Sequence, residues 1–373
     1  MSWTTEIITD INRIEADEWN QLTKERPFAT WQWLQLTQAV VVDHQPRYVL
    51  LRENGELQAA AVCYLQSRFH SRVLQLALGW LPRAFPILRC AIPISYDPGL
   101  LFSDQQPLEK LLPELLNSVQ TLLRQERASF YSFDHLAPTD PIWLFLKAQG
   151  YHRVEHLIET YLDIKWAMFE DYLGALSRKK RTEYVRIRGR LERENITIGV
   201  ADPLSEDGVL LKKLVHNVFQ RHADPDPYSA DLFAKAGALL GENFKLVVAR
   251  QNGDCIGCFA LLRSGTEWTA KWAGLDYERT LDTGTYYGLL AESVRQTILS
   301  GGTRLRMGAT AYQTKQHFGV TVEERIGAMA VRVRSLHWLA GKIMNFTSNS
   351  EIVHQAIPKA SAPTTVPQND QSH

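Results

Sequence analysis

The segment "WAGLDYERTLDTGTYYGLLAESVRQTILSGGTRLRMGATAYQTKQHFGV", residues 272–320, sets out a strand, a turn, a helix, a strand and a short helix in immediate succession. Its first residues close an apolar strand that enters a turn around Asp282. "TYYGLLAESVRQTILSGG" then carries apolar residues at helical spacing and stops at Gly301-Gly302. "TRLRMGA" predicts a strand, and "YQTKQHFGV" a short helix ended by Gly319. Alternation of this kind predicts an α/β (α+β) fold.

Working outward, "TVEERIGAMAVRVR" predicts a strand after the segment. Before it, "FKLVVARQNGDCIGCFALLRS" predicts a hairpin turning at Asn252-Gly253, and "TEWTAKWAGLD" a further strand. Helical patterns cover "FEDYLGALSRKKRTEYVRIRGRLEREN", "DGVLLKKLVHNVFQRH" and "ADLFAKAGALL". The first half follows a similar order. "PRYVLLRENGELQAAAVCYLQS" predicts a hairpin at Asn54-Gly55, "PLEKLLPELLNSVQTLLRQER" an amphipathic helix, and "ASFYSFDHL" a strand. "PTDPIWLFLKAQGY" predicts a helix opened by Pro and stopped by Gly150, and "HRVEHLIETYLDI" one more strand. The parallel between "FLKAQGYHRV" and "QTKQHFGVTVEER" points to an internal duplication. Domains are therefore expected at 1–165 and 166–345, with a polar, Pro/Ser/Thr-rich disordered tail at 346–373.

Composition narrows the function. The 373 residues suggest about two domains. No run of about 18 apolar residues predicts a membrane span, and the acidic start "MSWTTEIITDINRIEADEW" predicts no signal peptide. Cys63, Cys90, Cys255 and Cys258 form no disulfide framework, which fits a cytoplasmic protein. Lys+Arg and Asp+Glu balance at 41 each, which argues against a dedicated DNA binder.

Against that balance, "LSRKKRTEYVRIRGRLERE" (176–194) carries eight basic residues and three Glu. Arg178, Lys179, Lys180 and Arg181 gather near one turn, with Arg186 beyond them, and forks and point charges of this kind suit a small phosphorylated ligand. The competing reading is a solvated helix with internal pairs such as Glu183–Arg186.

Other patterns carry less. "CIGC" (255–258) lies on a strand, where residues three apart face opposite ways, and no second Cys pair completes a zinc site. "HRVEH" (152–156) has helical metal spacing in a strand context, so no metal is expected. No P-loop, G-x-S-x-G or Rossmann fingerprint is present. The turn-rich "HADPDPYS" (222–229) offers Asp224 or Asp226 as a general base for an acceptor amine.

The order of elements resembles the GNAT acyltransferase core, twice over: two tandem GNAT-like domains, each a mixed, mostly antiparallel sheet flanked by helices. A second copy preceded by "LSRKKRTEYVR" resembles the FemAB-like branch, which includes the CelD/BcsL-type acetyltransferases. The resemblance rests on 169–196 and 272–320, and more weakly on 141–154. It implies an acyltransferase acting on an amine or hydroxyl of an anionic cell-envelope or polysaccharide precursor, with the basic segment as the substrate cradle. The co-substrate it implies is acetyl-CoA or another acyl-CoA, its pyrophosphate at Thr283, Gly284, Thr285 and Tyr286 on a helix N-terminus. That turn departs from the family pattern, with one Gly where two small residues are usual and Tyr286 crowding it. Lys315 stands where GNAT enzymes often carry a Tyr that protonates the leaving group, with Tyr312 and His317 as further candidates. The same resemblance admits an aminoacyl-tRNA-dependent ligase of peptidoglycan precursors, the one reading in which tRNA is a partner. It also admits a non-catalytic anion-binding module.

Overall fold

Both Asn-Gly dipeptides turn hairpins as expected. Asn54 and Gly55 have φ of 54° and 93°, and Asn252 and Gly253 have φ of 53° and 90°, the positive angles that a type I′ turn requires. These angles belong to a computed structural model that describes residues 3–24, 26–66, 86–155 and 158–332. The expected tail at 346–373 and His156 of "HRVEH" lie outside the described residues.

The first half runs β1 (Trp3–Ile8), α1 (Ala16–Asn20), α2 (Trp31–Val40), β2 (Pro46–Glu53), β3 (Glu56–Gln66), β4 (Ile87–Cys90), β5 (Leu100–Phe102), α3 (Leu108–Gln125), β6 (Phe130–Leu136), α4 (Pro141–Ala148), β7 (His152–Glu155) and β8 (Glu159–Asp163). The second runs α5 (Phe169–Ala175), α6 (Arg178–Arg193), β9 (Ile196–Ala201), α7 (Gly208–Arg221), α8 (Leu232–Leu240), β10 (Phe244–Gln251), β11 (Asp254–Ser264), β12 (Glu267–Leu275), α9 (Tyr277–Thr280), α10 (Thr285–Leu299), β13 (Arg304–Gly308), α11 (Tyr312–Gln316), β14 (Thr321–Glu323) and β15 (Ile326–Val331). Helix α3 buries Leu111, Leu112, Leu115, Leu116, Val119, Leu122 and Leu123, the stripe its spacing predicts. Asp140 caps α4 by accepting a bond from the Ile142 amide, with Pro141 at the first helical position.

The strands form two sheets of matching topology. One follows β1-β2-β3-β4-β6-β15-β7, with β5 also against β3, and the other β14-β8-β13-β12-β11-β10-β9. Pairing is antiparallel throughout except for β4 with β6 and β12 with β13. The fold is mixed α/β, and its two units repeat one plan.

Each unit donates a strand to the other. β8 of the first half pairs with β13 and β14, placing Asp163 opposite Arg304 and Tyr161 opposite Thr321. β15 of the second half pairs with β6 and β7, placing Val331 opposite Phe130 and Ile326 opposite Glu155. Two segments expected as single strands, "HRVEHLIETYLDI" and "TVEERIGAMAVRVR", each supply one strand to each sheet. A division at 165/166 therefore does not separate the sheets. The helical block at 169–195 is two helices, because the backbone of Leu176 and Ser177 is extended.

The halves also share a core. Trp33 of α2 stacks on Trp272 of β12, with centroids 6.1 Å apart and planes at 16°. Among the described residues no helix is long and apolar enough to cross a membrane.

Candidate active site between the two sheets

A bulge in β12 shapes the site. Leu261 faces Ala270 and Phe259 faces Ala273, so β12 carries one residue more than β11 over this step. Trp268 and Ala270 lie in the core beneath α10, and regular alternation would add Trp272 to them. The extra residue turns Trp272 to the opposite side, against Trp33, Tyr228 and Phe233. Lys271 and Trp272 thus both lean toward the first half. β12 also leaves β13 here, since the two pair only from Glu267–Thr269 to Arg304–Arg306. Beyond β13 the chain turns sharply, with Gly308, Thr310 and Ala311 at φ of 70°, 82° and 48°. For the β-branched Thr310 this is a strained conformation.

The first half fills part of the gap with the loop 91–99, which interrupts the line of β4 and β5. Gly99 permits the loop's close return, because a Cβ there would lie 2.5 Å from the Val62 carbonyl oxygen. Arg26 braces it by donating to the carbonyls of Pro98 (3.2 Å) and Leu100 (2.9 Å). The Tyr96 ring reaches the backbone at Gly308. The Lys271 ammonium lies 5.4 Å from the Tyr96 ring centroid and 5.6 Å from that of Phe28.

Burial dominates the electrostatics. It lowers the Lys271 pKa to about 8, with the charges of Glu159 and Asp97 opposing the fall. Lys315 also falls to about 8, again through burial and against Glu159. Burial raises Glu159 despite Arg306, which pairs with it at 2.9 Å and with Glu267 and Glu323 at 3.0 and 3.2 Å. The two lysines differ in their partners. Lys315 is 1% exposed and donates to the carbonyls of Gly308 (3.0 Å) and Ala309 (3.3 Å), clamping the strained turn. Lys271 is partly exposed and forms no hydrogen bond or ion pair with the described residues. Asp97 Oδ2 is buried, also without a hydrogen-bond partner.

Of the expected site residues, Lys315 adjoins this cluster. Tyr312 donates to the Ile158 carbonyl at 2.6 Å and so ties α11 to the start of β8. His317 lies edge-on to Tyr287, centroids 6.3 Å apart. Asp224 is exposed on a surface turn. Asp226 is ion-paired with Lys212, hydrogen-bonded to His216 Nδ1 at 2.8 Å, and accepts a bond from the Tyr228 amide, which makes it a brace for its loop.

The basic residues divide. Arg181 donates to the carbonyls of Gly174 (2.8 Å) and Leu176, and Arg186 makes a two-pronged pair with Glu183 at 2.6 and 2.8 Å. Arg178 and Lys179 are exposed at the start of α6. Lys180 is partly buried, which lowers its pKa, and its ammonium approaches Gly319.

The turn at 283–286 is covered by α6. Gly284 has φ of 85°, and the point where a Cβ would sit is 2.7 Å from Ile187 Cγ2. Thr285 is fully buried, the Thr283 hydroxyl donates to the Thr280 carbonyl at 2.8 Å, and Tyr286 packs edge-on against Phe259. Arg190 adds a bond to the Asp282 carbonyl. Ile187 thus packs against Gly284 and the Thr285 amide donates to the Thr283 hydroxyl, so this crowded helix start is a poor fit to the pyrophosphate of acyl-CoA in this arrangement.

Sequence reading missed Lys271, Tyr96, Asp97 and Glu159. One signal was available: Lys271 is a charge inside the apolar "WTAKWAG". Tyr96 and Asp97 sit on the 91–99 loop, which crosses toward the other sheet. Two surface grooves lie elsewhere, one of about 700 Å³ beside Arg221 and Tyr277 and one of about 230 Å³ between α6 and α10. No group of three or more metal-type side chains gathers among the described residues.

Comparison with known proteins agrees with this architecture. The profile of the FemAB-like family, described as peptidoglycan biosynthesis/recognition, matches residues 10–345. The structure of FemX superposes with a TM-score of 0.61 at 12% identity, over 90% of this chain and 99% of that one. The C-terminal domain of a provisionally named lysylphosphatidylglycerol synthetase from Agrobacterium fabrum gives 0.55 at 13% identity, over 89% and 96%. A tandem GNAT protein from the clavulanic acid biosynthesis pathway gives 0.52 at 11% identity, over 88% and 98%. At these identities the likeness is one of fold, and the fold is tandem GNAT. Two Mycobacterium tuberculosis proteins (strains CDC 1551 / Oshkosh and ATCC 25618 / H37Rv), provisionally named 8-amino-7-oxononanoate synthase 2, are 25% identical over 252 residues, 63% of this chain. The chain spans about a third, 32%, of their length.

Proposed function

We propose, since the chain belongs to the FemAB-like family, that it is a cell-envelope transferase whose reaction takes place in the recess between the two sheets. It joins an acyl or aminoacyl group to an amine or hydroxyl of an envelope precursor. The observation that carries this reading is Lys271, a cation on a bulged and splayed strand, flanked by the rings of Phe28 and Tyr96 and without a hydrogen bond to the described residues. In acyl transfer the carbonyl oxygen gains negative charge as the acceptor attacks. A fixed ammonium in a partly desolvated recess stabilises that charge far better than one in water. Lys315 supports the site by holding the carbonyls of Gly308 and Ala309. Arg178, Lys179 and Lys180 remain as cations for the phosphates of the precursor.

The donor is either an acyl-CoA or an aminoacyl ester. The packing of Ile187 against Gly284 favours the ester, as does a fold neighbour named for the synthesis of lysylphosphatidylglycerol. Acetyl-CoA remains the donor to test beside it, because a further neighbour is a tandem GNAT protein.

The test is a transfer assay with labelled acetyl-CoA and labelled aminoacyl-tRNA, each offered with an amine-bearing peptidoglycan precursor. Label is expected in the precursor with the wild type, reduced at least a hundredfold by Lys271→Met. Absence of transfer from both donors, with the precursor still bound, would make the protein a binding module.

A further inference from the structure

We propose that the recess takes the acceptor as an α-amino acid group, its ammonium on Asp97 and its carboxylate on Lys271. This inference rests on the reading of the recess as the site of transfer.

Two opposite charges, Asp97 and Lys271, lie within range of each other's field, and neither is held by an ion pair or side-chain hydrogen bond among the described residues. Asp97 Oδ2 is buried with no hydrogen-bond partner. The cations around it are committed elsewhere: Arg26 to the carbonyls of Pro98 and Leu100, and Arg306 to Glu159, Glu267 and Glu323. The Lys271 ammonium lies over the faces of Phe28 and Tyr96, and its three N–H donors have no acceptor among the described residues. Asp97 and Lys271 do not form an ion pair, although each lies within range of the other's field. A carboxylate oxygen and an ammonium drawn out of water and held apart in this way both carry a desolvation cost that a bridging group would offset.

The chemistry of the bridge follows from the two ends. A simple anion would satisfy Lys271 and be repelled by Asp97. A simple amine would do the reverse. A molecule with an ammonium and a carboxylate on one carbon satisfies both, through two charge-assisted hydrogen bonds of about 2.7–2.9 Å. The aromatic walls exclude water from the bridge without competing for its hydrogen bonds.

This pose sets up the reaction. The α-nitrogen attacks the donor carbonyl, a C–N bond forms, and the donor's C–O or C–S bond breaks. Of the two protons the ammonium loses, one leaves through Asp97 and the other goes to the departing oxygen or sulfur. The ammonium of Lys271 has three donors, enough for the ligand carboxylate and the developing oxyanion together.

Calorimetric titration of the full chain decides the matter, using glycine and both enantiomers of alanine, lysine, glutamate and phenylalanine. At least one is expected to bind at a single site, with its amide and its N-acetyl derivative each at least tenfold weaker. Asp97→Asn and Lys271→Met are each expected to weaken binding at least tenfold. If Asp97→Asn does not fold, Lys271→Met with the two derivatives still tests both ends. The inference is overturned if no free amino acid binds at millimolar concentration, if the derivatives bind equally well, or if the folded variants bind as the wild type does. Binding as expected without transfer from any donor would keep this site and remove the proposed function. Transfer to an acceptor lacking the α-amino acid group, with no amino acid bound, would do the opposite.

Discussion

The ammonium of Lys271, on a strand of the second sheet, stands 5.4 Å from the ring centroid of Tyr96, on a loop of the first. The two groups come from different halves of the chain. The Trp33–Trp272 stack lies in the core the halves share, and the bulge in β12 turns Lys271 toward the first half. A site at the junction of two units is a common place for a ligand, because it is concave without opening either core.

Lys271 should cost stability. Burial brings its pKa from 10.5 to about 8, so the folded chain holds that proton less tightly than the unfolded chain. Between about pH 8 and 10.5 the unfolded state binds more protons, and stability rises with pH; below 8 the whole cost is present. Lys271→Met should therefore stabilise the protein at pH 7 by about 1–3 kcal/mol, and the gain should shrink toward pH 10. Scanning calorimetry of both proteins at the two pH values measures this.

Trp272→Ala should loosen the junction. It removes the ring that packs on Trp33, Tyr228 and Phe233, and a cavity of that size costs about 3–5 kcal/mol. Urea unfolding gives the magnitude. Because Lys271 is the next residue, transfer activity should fall under conditions where the variant is still folded.

Gly284→Ala should destabilise by about 1–3 kcal/mol, since the position has positive φ and the new methyl group meets Ile187. Adding Ile187→Ala removes the collision but not the backbone strain. A double-mutant cycle should therefore show favourable coupling that recovers only part of the loss.

Cutting the chain between 165 and 166 should leave neither fragment able to fold alone. Residues 1–165 lack β15 from between β6 and β7, and the remainder lacks β8 from between β13 and β14. Co-expression is expected to yield a soluble, cooperatively unfolding complex, whereas separate expression yields none. Soluble, folded single fragments would show that the exchanged strands are dispensable.

Local chemistry made much of this fold readable in advance. The Asn-Gly turns, the leucine stripe of α3 and the Gly-terminated helices are set by neighbouring residues, and each lies where the sequence puts it. The strand exchange was not readable. "TVEERIGAMAVRVR" has strand-forming residues on both sides of Glu324-Arg325, and nothing local says that the two sides join different sheets. The basic segment shows the same limit. Its charges are plain in the sequence, but Arg190 is spent on the carbonyl of Asp282, and Arg181 on the end of the preceding helix. Lys271 was missed although it is a charge in an apolar strand, because its place depends on a bulge and on a loop from the other half of the chain.

The rate of transfer as a function of pH, for the wild type and for Lys271→Arg, tests the placement of the reaction most directly. With Lys271 titrating near 8, wild-type activity should fall as pH rises through that value, because the ammonium is lost. Arginine stays charged throughout, so the variant should be slower yet show no such fall. Lys315 also titrates near 8 but is unchanged in the variant. An alkaline fall that persists at the same pH in Lys271→Arg would assign it to another group and contradict a reaction centred on Lys271.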